Sequence, residues 1–130
     1  MKIDGGCHCG NIRYEAVVDP DKVAICHCTD CQQLSGSAFR TVAPATGFKL
    51  LAGRPKVYVK TAESGNQRQQ AFCAECGTPI YSAPVGEDVQ LHHLRVGSIR
   101  QRAQLPPKVQ NWCRSALGWT GDLRDLPQNR

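Results

Sequence analysis

Cys26-His27-Cys28-Thr29-Asp30-Cys31 is the stretch that decides the fold, because it places three cysteines within a few positions of one another. Two further clusters lie on either side of it, Cys7-His8-Cys9-Gly10 and Cys73-Ala74-Glu75-Cys76-Gly77, and Cys113 stands alone. The start of the sequence lacks the apolar stretch of a secretory signal, so we expect a cytoplasmic protein. Thiols stay reduced there, and dense cysteine indicates metal binding rather than disulfides. We therefore predict that the seven clustered cysteines hold zinc.

Seven ligands divide into a set of four and a set of three. The favoured division joins Cys7, Cys9, Cys73 and Cys76 in a closed site and leaves Cys26, Cys28 and Cys31 as an open site. Four closed ligands are typical of structural zinc, whereas three protein ligands and a vacant position are typical of catalytic zinc. The alternative is a zinc ribbon made by Cys28 and Cys31 with Cys73 and Cys76, although the gap exceeds the usual ~15–20 residues. The favoured division predicts two zinc ions per chain.

The remaining candidate residues are weaker. His8 and His27 lie in the middle of Cys-x-Cys segments, so their side chains point away from the ligands and we do not expect them to bind metal. Cys113 is expected to be a packed, free cysteine. His92 and His93 are acid–base candidates, but adjacent residues on a strand face opposite ways, so at most one faces a given pocket. A surface or core position is favoured for both.

The pattern of apolar residues predicts a mostly β domain. Candidate strands, separated by Gly and Pro turns, cover residues 11–18, 37–43, 48–51, 56–60, 70–73, 79–82 and 89–96. One short helix follows Cys28, with Thr29 and Gln32 forming a capping box and Gly36 at its end. Cys31 falls in the first turn of that helix, where the helix dipole favours a thiolate. Residues from about 104 to 130 look irregular, and we expect Trp112 and Trp119 to pin them onto the body.

The length of the chain and its charge disfavour some classes of function. The chain has 130 residues, which suits a single domain over 1–130, and no apolar run is long enough to span a membrane. The formal charge is +5. Seven thiolates and two zinc ions would reduce it to about +2, which disfavours a nucleic-acid partner. The basic excess begins at Arg95 and is either a solvated surface or an attraction for an anionic substrate or partner.

The sequence around the cysteine clusters resembles the glutathione-dependent formaldehyde-activating enzyme family, also called the centromere protein V family. The resemblance includes the segment after the second cluster, Ser35-Gly36-Ser37-Ala38-Phe39, and the segment after the third, Thr78-Pro79-Ile80. The resemblance implies a β-tent fold of short antiparallel strands organised around zinc. It also implies a structural four-cysteine site and a catalytic site at Cys26, Cys28 and Cys31. Members with a named activity add glutathione to formaldehyde and are classed as carbon–sulfur lyases. Residues 109–115 lack the histidine that family members often have there.

The leading hypothesis is therefore a zinc-dependent lyase-type enzyme that acts on the adduct of a small, glutathione-like thiol with formaldehyde or another small aldehyde. Zinc would polarise or hold the reacting group. Two alternatives stay open. One is a non-catalytic zinc-binding interaction module, as in the chromatin-associated branch of the family. The other is a thiol redox protein that releases zinc when Cys26, Cys28 and Cys31 are oxidised.

Overall fold

Alternating apolar and polar residues build the sheet of this protein, described here by a computed structural model of residues 1–62 and 64–130. Within those ranges the strands are β1 (Lys2–Gly6), β2 (Arg13–Val18), β3 (Ala24–Cys26), β4 (Arg40–Ala52), β5 (Lys56–Thr61), β6 (Gln67–Phe72), β7 (Pro79–Pro84), β8 (His92–Arg95) and β9 (Val109–Asn111). They form one sheet in the order β1-β2-β4-β8-β7-β6-β5, and β3 joins β9 to β4. Every pairing is antiparallel except β3 with β9. The prediction of a mostly β fold is confirmed.

The predicted strands over 37–43 and 48–51 are one continuous strand, β4, rather than two strands with a turn at Gly47. Gly47 has a φ of 62°, and the pairing of β2 with β4 shifts register between Glu15 and Val17. An extra residue on one strand with glycine in the left-handed region is a β-bulge, which bends a strand without ending it. The glycine was therefore a correct signal of irregularity and a wrong signal of a turn.

The core lies on one face of the sheet and depends on the alternation that the sequence predicted for residues 11–18. Ile12, Tyr14, Ala16 and Val18 are all buried, while the residues between them in β2 are exposed. Leu94 of β8 and Ile80 of β7 complete the apolar face. The opposite face of the same strands is left to carry polar side chains.

The helix α1 (Thr29–Ser35) forms where it was predicted, but its N-cap residue is not the predicted Thr29. Cys28 is the N-cap, and its Sγ accepts a hydrogen bond from the backbone N–H of Cys31 at 3.3 Å. Thr29 is already helical, so the capping-box prediction is wrong. The amide of Gln32 instead donates to the carbonyl of His27 at 2.9 Å. Gly36 ends the helix in the left-handed conformation, as predicted.

Backbone hydrogen bonds, not tryptophans, hold the C-terminal segment against the sheet. Trp112 and Trp119 are 54% and 56% exposed, so the prediction that they pin the segment is wrong. The N–H of Lys108 donates to the carbonyl of Val23 at 2.8 Å, and β9 then pairs with β3. Cys113 follows β9 and is exposed, which also contradicts its predicted packed position, because three residues of strand bury too little surface to cover it.

Candidate metal centres and the cavity beside them

Two loops distant in sequence bring four cysteines together. Cys7 and Cys9 lie in the β1–β2 loop, and Cys73 and Cys76 lie in the turn between β6 and β7. Their sulfur atoms are all within 4.8 Å of one another, with 3.6 Å between Cys7 and Cys9 and 3.8 Å between Cys9 and Cys73. Tetrahedral zinc with bonds of about 2.3 Å places its sulfur ligands about 3.8 Å apart. The four thiols therefore fit a zinc ion without rearrangement.

The local backbone supports the same four-sulfur cluster. Gly77 has a φ of 80°, and its N–H donates to the carbonyl of Cys73 at 2.8 Å, so the chain turns back beneath the sulfurs. The N–H of Ile12 donates to Cys7 Sγ at 3.1 Å. The hydroxyl of Thr78 lies 3.2 Å from Cys76 Sγ, and the hydroxyl and backbone N–H of Thr78 lower the pKa of Cys76 to about 5. Hydrogen bonds to a thiolate stabilise the charged form that binds metal.

The other three clustered cysteines meet where β3 runs into α1. Cys26 ends β3, Cys28 caps the helix and Cys31 lies in its first turn. Their sulfur atoms are also within 4.8 Å of one another. This grouping agrees with the favoured division into four and three, and it separates Cys28 and Cys31 from the cysteines that a zinc ribbon would require.

The three-sulfur cluster is crowded and partly shielded from water. Burial raises the pKa of Cys26 to about 12, and Cys31 is 6% exposed. Arg40 Nη2 donates to Cys31 Sγ at 3.1 Å. Three thiolates at this spacing repel one another unless a cation lies among them. The cluster therefore fits a divalent metal ion held by three protein ligands. All eight cysteines are free thiols in the structure, so no disulfide competes for them.

A cavity of about 620 Å³ opens beside the three-sulfur cluster. Its wall includes the two ligand candidates Cys26 and Cys31 together with cationic and polar side chains, namely Arg40, Arg68, His93 and Arg95. We call this space the arginine cavity. A cavity of this size holds a small organic molecule.

The register of the sheet explains why these side chains share one cavity. Cys26 pairs with Arg40 across β3 and β4, and Arg95 pairs with Val42 two residues further along β4. His93 lies two residues before Arg95 and pairs with Ser82 of β7, which in turn pairs with Gln70 of β6. Directly paired residues, and residues two apart on one strand, point to the same face. The face opposite the apolar core is thus polar.

Apart from the contact of Arg40 with Cys31, neutral groups hold the arginines. Gln70 Oε1 accepts from Arg95 Nη2 at 3.0 Å and from Arg40 Nη1 at 3.5 Å. Arg68 Nη2 lies 3.1 Å from Ser82 Oγ and 2.9 Å from His93 Nδ1. Burial, with the nearby charge of Arg40, lowers the pKa of Arg95 to about 9.

The two histidines of β8 face opposite ways, which confirms the prediction that one pocket receives at most one of them. His92 stacks on Phe48, with ring centroids 4.7 Å apart, on the core side. His93 lines the arginine cavity, so the expectation of a surface or core position is wrong for this residue. Burial and the neighbouring charges of Arg68 and Arg95 lower the pKa of His93. Its ring is therefore neutral near pH 7, and because Nδ1 accepts from Arg68, its proton lies on Nε2.

The histidines between the paired cysteines stay out of both clusters, as predicted. His27 is 2% exposed, and its Nε2 lies 2.8 Å from Gln110 Oε1. His8 is exposed, and its backbone N–H donates to Thr78 Oγ1 at 3.0 Å, while its ring makes no hydrogen bond with the described residues. The sequence reasoning missed Arg40 and Arg68, because nothing in their immediate neighbours marks them and only the strand register brings them to the cysteines.

Trp112 lies at the edge of the arginine cavity and has a φ of 58°, a conformation that non-glycine residues rarely adopt. The guanidinium of Arg114 lies 4.9 Å from the centre of its ring, within the distance of a cation–π contact. Strained backbone at a cavity is more common at functional sites than elsewhere. The tryptophan that was expected to pin the tail instead presents an aromatic surface beside the cavity.

The structural class of this protein is a mostly β domain that carries one four-sulfur cluster and one three-sulfur cluster, the second open to a cavity. The family described as glutathione-dependent formaldehyde-activating enzyme matches residues 2–115, and the chain belongs to that family. The family expected from the cysteine motifs is thus confirmed.

Two individual proteins are similar to the chain. An uncharacterized lyase of Schizosaccharomyces pombe is 27% identical over 84 residues, which are 62% of this chain and 56% of that protein. The chain thus spans little more than half the length of this relative. A Rhodobacter sphaeroides protein of known crystal structure superposes with a TM-score of 0.61 at 16% identity, over 82% of this chain and 98% of that one. This second likeness supports the fold alone. In the described residues no helix is long and apolar enough to cross a membrane.

Proposed function

We propose that this protein is a zinc-dependent, carbon–sulfur lyase-type enzyme that acts on the adduct of a small, glutathione-like thiol with formaldehyde or another small aldehyde. Cys7, Cys9, Cys73 and Cys76 hold a structural zinc, and Cys26, Cys28 and Cys31 hold a second zinc at the reaction site. Family membership and the lyase name of the Schizosaccharomyces pombe relative support the class of reaction. The single domain over 1–130 and the cytoplasmic location remain predictions.

One observation carries the proposal: two cysteines of the three-sulfur cluster line the arginine cavity, whereas no cysteine of the four-sulfur cluster does. A metal site with three protein ligands keeps a position for substrate, whereas a site with four does not. The difference between the two clusters therefore corresponds to a difference of role.

The reaction forms one bond and moves one proton. In the adding direction the thiol sulfur bonds to the aldehyde carbon, the carbonyl π bond becomes a C–O single bond, and the thiol proton ends on that oxygen. The lyase direction reverses each change. A zinc ion held by these three cysteines would supply Lewis acidity to the reacting group. The residues of the chain then hold the thiol compound, orient it and handle the proton.

His93 is the side chain suited to stabilise the developing oxyanion. Its Nε2–H makes no hydrogen bond in the described part of the chain, while Nδ1 is fixed by Arg68 at 2.9 Å. A ring held in one tautomer donates from one known atom, and we propose that Nε2–H donates a hydrogen bond to the oxygen that develops negative charge, while the proton that this oxygen gains comes from the thiol. Arg40, bonded to Cys31 Sγ at 3.1 Å, keeps that thiolate oriented and partly neutralised.

Exchange NMR with ¹³C-formaldehyde and glutathione tests the proposal, because it measures the forward and reverse rates at equilibrium. The protein should raise the exchange rate between formaldehyde and its thiol adduct above the uncatalysed rate. Cys31→Ala should abolish the increase, while Cys113→Ser, at an exposed cysteine outside both clusters, should retain it. Full exchange in Cys31→Ala, or no increase with glutathione, cysteine or other small thiols, would overturn the proposal.

A further inference from the structure

We infer that Arg40, Arg68 and Arg95 form an anion-binding subsite in the arginine cavity, and that it takes a carboxylate of the thiol substrate. This inference rests on the proposed function for the identity of the thiol, but the subsite itself follows from the charges in the cavity. It assigns a role to three residues that neither the cysteine motifs nor the family match identify.

The first argument is the absence of an acidic partner. In the ranges 1–62 and 64–130 the ion pairs are Lys60 with Asp30 and Arg100 with Asp4, and neither involves a residue of the cavity. Arg40 and Arg95 are only 9% and 6% exposed. Buried charges in proteins are normally paired, because removing an ion from water is unfavourable unless an opposite charge replaces the water. Arg40 lies against Cys31 Sγ, but Arg95 makes no ion pair among the described residues, and its buried charge therefore indicates that an anion binds beside it.

The second argument is the charge balance with the metal ligands. Three thiolates and one zinc ion carry a net charge of −1, and Arg40 is in direct contact with Cys31 Sγ. That contact offsets one of the three positive charges. Asp21 and Lys22 also line the cavity, and their opposite charges offset each other. Arg68 and Arg95 make no ion pair among the described residues, so the cavity retains about two positive charges.

The third argument is that neutral acceptors already hold the guanidinium groups in place. Gln70 Oε1 accepts from Arg95 and Arg40, and Arg68 contacts Ser82 and His93. These contacts fix the positions of the side chains, and for Arg68 and Arg95 they do so without neutralising the charge. Arg40 Nε is buried and has no hydrogen-bond partner in the structure. An arrangement of fixed but unneutralised donors is preorganised for an anionic ligand, and little side-chain entropy is lost when the ligand binds.

The geometry of arginine favours a carboxylate as that anion. The planar guanidinium donates two parallel hydrogen bonds that match the two oxygens of a carboxylate. Cys26 and Cys31 lie in the wall of the same cavity, so one small molecule can place its sulfur at the cysteines and its carboxylate at the arginines. The substrate class is therefore a thiol that bears a carboxylate, rather than a neutral thiol.

The test compares S-methylglutathione with its dimethyl ester, because the pair differs in negative charge and neither can form a thiolate. Binding is measured by isothermal titration calorimetry with zinc-loaded protein. We expect wild-type protein to bind the acid at least tenfold more tightly than the ester. Arg68→Gln should lose most of this preference. Arg68→Lys, which keeps the positive charge but not the two parallel hydrogen-bond donors of the guanidinium, should retain part of it. Arg68 is half-buried, whereas Arg95 is buried, so substitutions of Arg68 should disturb folding less than substitutions of Arg95.

A matched control removes the same charge elsewhere. Arg54 is exposed and makes no hydrogen bond in the described part of the chain, so Arg54→Gln should bind the acid and the ester as the wild type does. Equal binding of acid and ester by the wild type, binding of neither, or equal losses in the Arg68 and Arg54 variants would overturn the subsite. Inorganic phosphate that binds tenfold more tightly than the acid would overturn its assignment to a carboxylate.

The binding experiment is independent of turnover, so failures of the two proposals are distinguishable. A preference for the acid that depends on Arg68, without any catalysed exchange of formaldehyde, supports the subsite and contradicts the proposed reaction. Catalysed exchange with equal KM for glutathione and its diester supports the reaction and overturns the subsite.

Discussion

Replacing Cys73 by serine removes a fully buried thiol from the four-sulfur cluster and, if that cluster holds zinc as proposed, should release the metal. The ligands of that cluster come from two loops, and Cys9 and Cys73 are 64 positions apart in the sequence. A bound zinc ion therefore closes a long loop in the folded and partly folded chain. Losing it should lower the free energy of unfolding far more than an ordinary surface substitution does.

The size of the effect follows from the length of the loop. A cross-link across 64 residues that persists in the unfolded chain stabilises the fold by about 4 kcal/mol, and we use this value as the order of magnitude for the loop that zinc closes. For a domain of this size, about 4 kcal/mol corresponds to a fall in Tm of roughly 10–20 °C. Cys113→Ser, at an exposed position, should change the free energy of unfolding by less than about 0.5 kcal/mol.

Thermal unfolding followed by circular dichroism, with and without a strong chelator, separates the metal from packing. If Cys73 acts as a ligand, chelation lowers the Tm of the wild type to that of Cys73→Ser and leaves the variant almost unchanged. If Cys73 acts only by packing, the variant stays below the wild type by the same amount after both proteins are stripped of metal. That second result, or a wild type insensitive to the chelator, would refute the reasoning.

Three smaller perturbations test other contacts. Gln70→Leu removes the acceptor shared by two buried guanidinium groups and should lower the free energy of unfolding by about 1–3 kcal/mol, measured by urea denaturation; an unchanged midpoint would contradict this. Tyr14→Phe breaks the buried 2.7 Å bond to Ser98 and should cost about 1 kcal/mol in the same assay, whereas no loss would mean that the bond contributes nothing. Hydrogen bonds from Arg100 lower the pKa of Asp4 to about 2 from 3.8, so this contact stabilises the fold above pH 3.8 and is lost as the pH falls through about 2. Arg100→Gln should therefore raise the pKa of Asp4 in an NMR titration, and an unmoved value would exclude Arg100 as the cause.

The sequence was sufficient for the parts of the molecule that depend on local pattern. The alternation at residues 11–18 correctly predicted which face of β2 is buried, and the spacing of the cysteines correctly separated them into four and three. Both signals come from side chains that must meet an immediate neighbour or a common ion. Such requirements are recorded in sequence spacing.

The parts that failed depend on contacts between distant segments. β3 and β9 have three residues each, too few for an alternating pattern, yet the pairing of β3 with β4 brings Cys26 beside Arg40, and β9 pairs with β3. The arginine cavity forms because the pairings of β4 with β8, β8 with β7 and β7 with β6 place its side chains on the same face of the sheet. Packing was expected for Trp112 because large aromatic residues are usually buried, whereas its side chain is 54% exposed and its backbone is left-handed, which no sequence pattern indicates.

The most direct test of the account is the metal content of intact protein, measured by native and denaturing mass spectrometry. The wild type and Cys113→Ser should each carry two zinc ions, and a variant with Cys26, Cys28 and Cys31 all changed to serine should carry one and keep its fold. That result would establish a closed site and an open site with separate ligands. One zinc ion in the wild type and in the triple variant, or none in either, would contradict the open site and the reaction proposed for it.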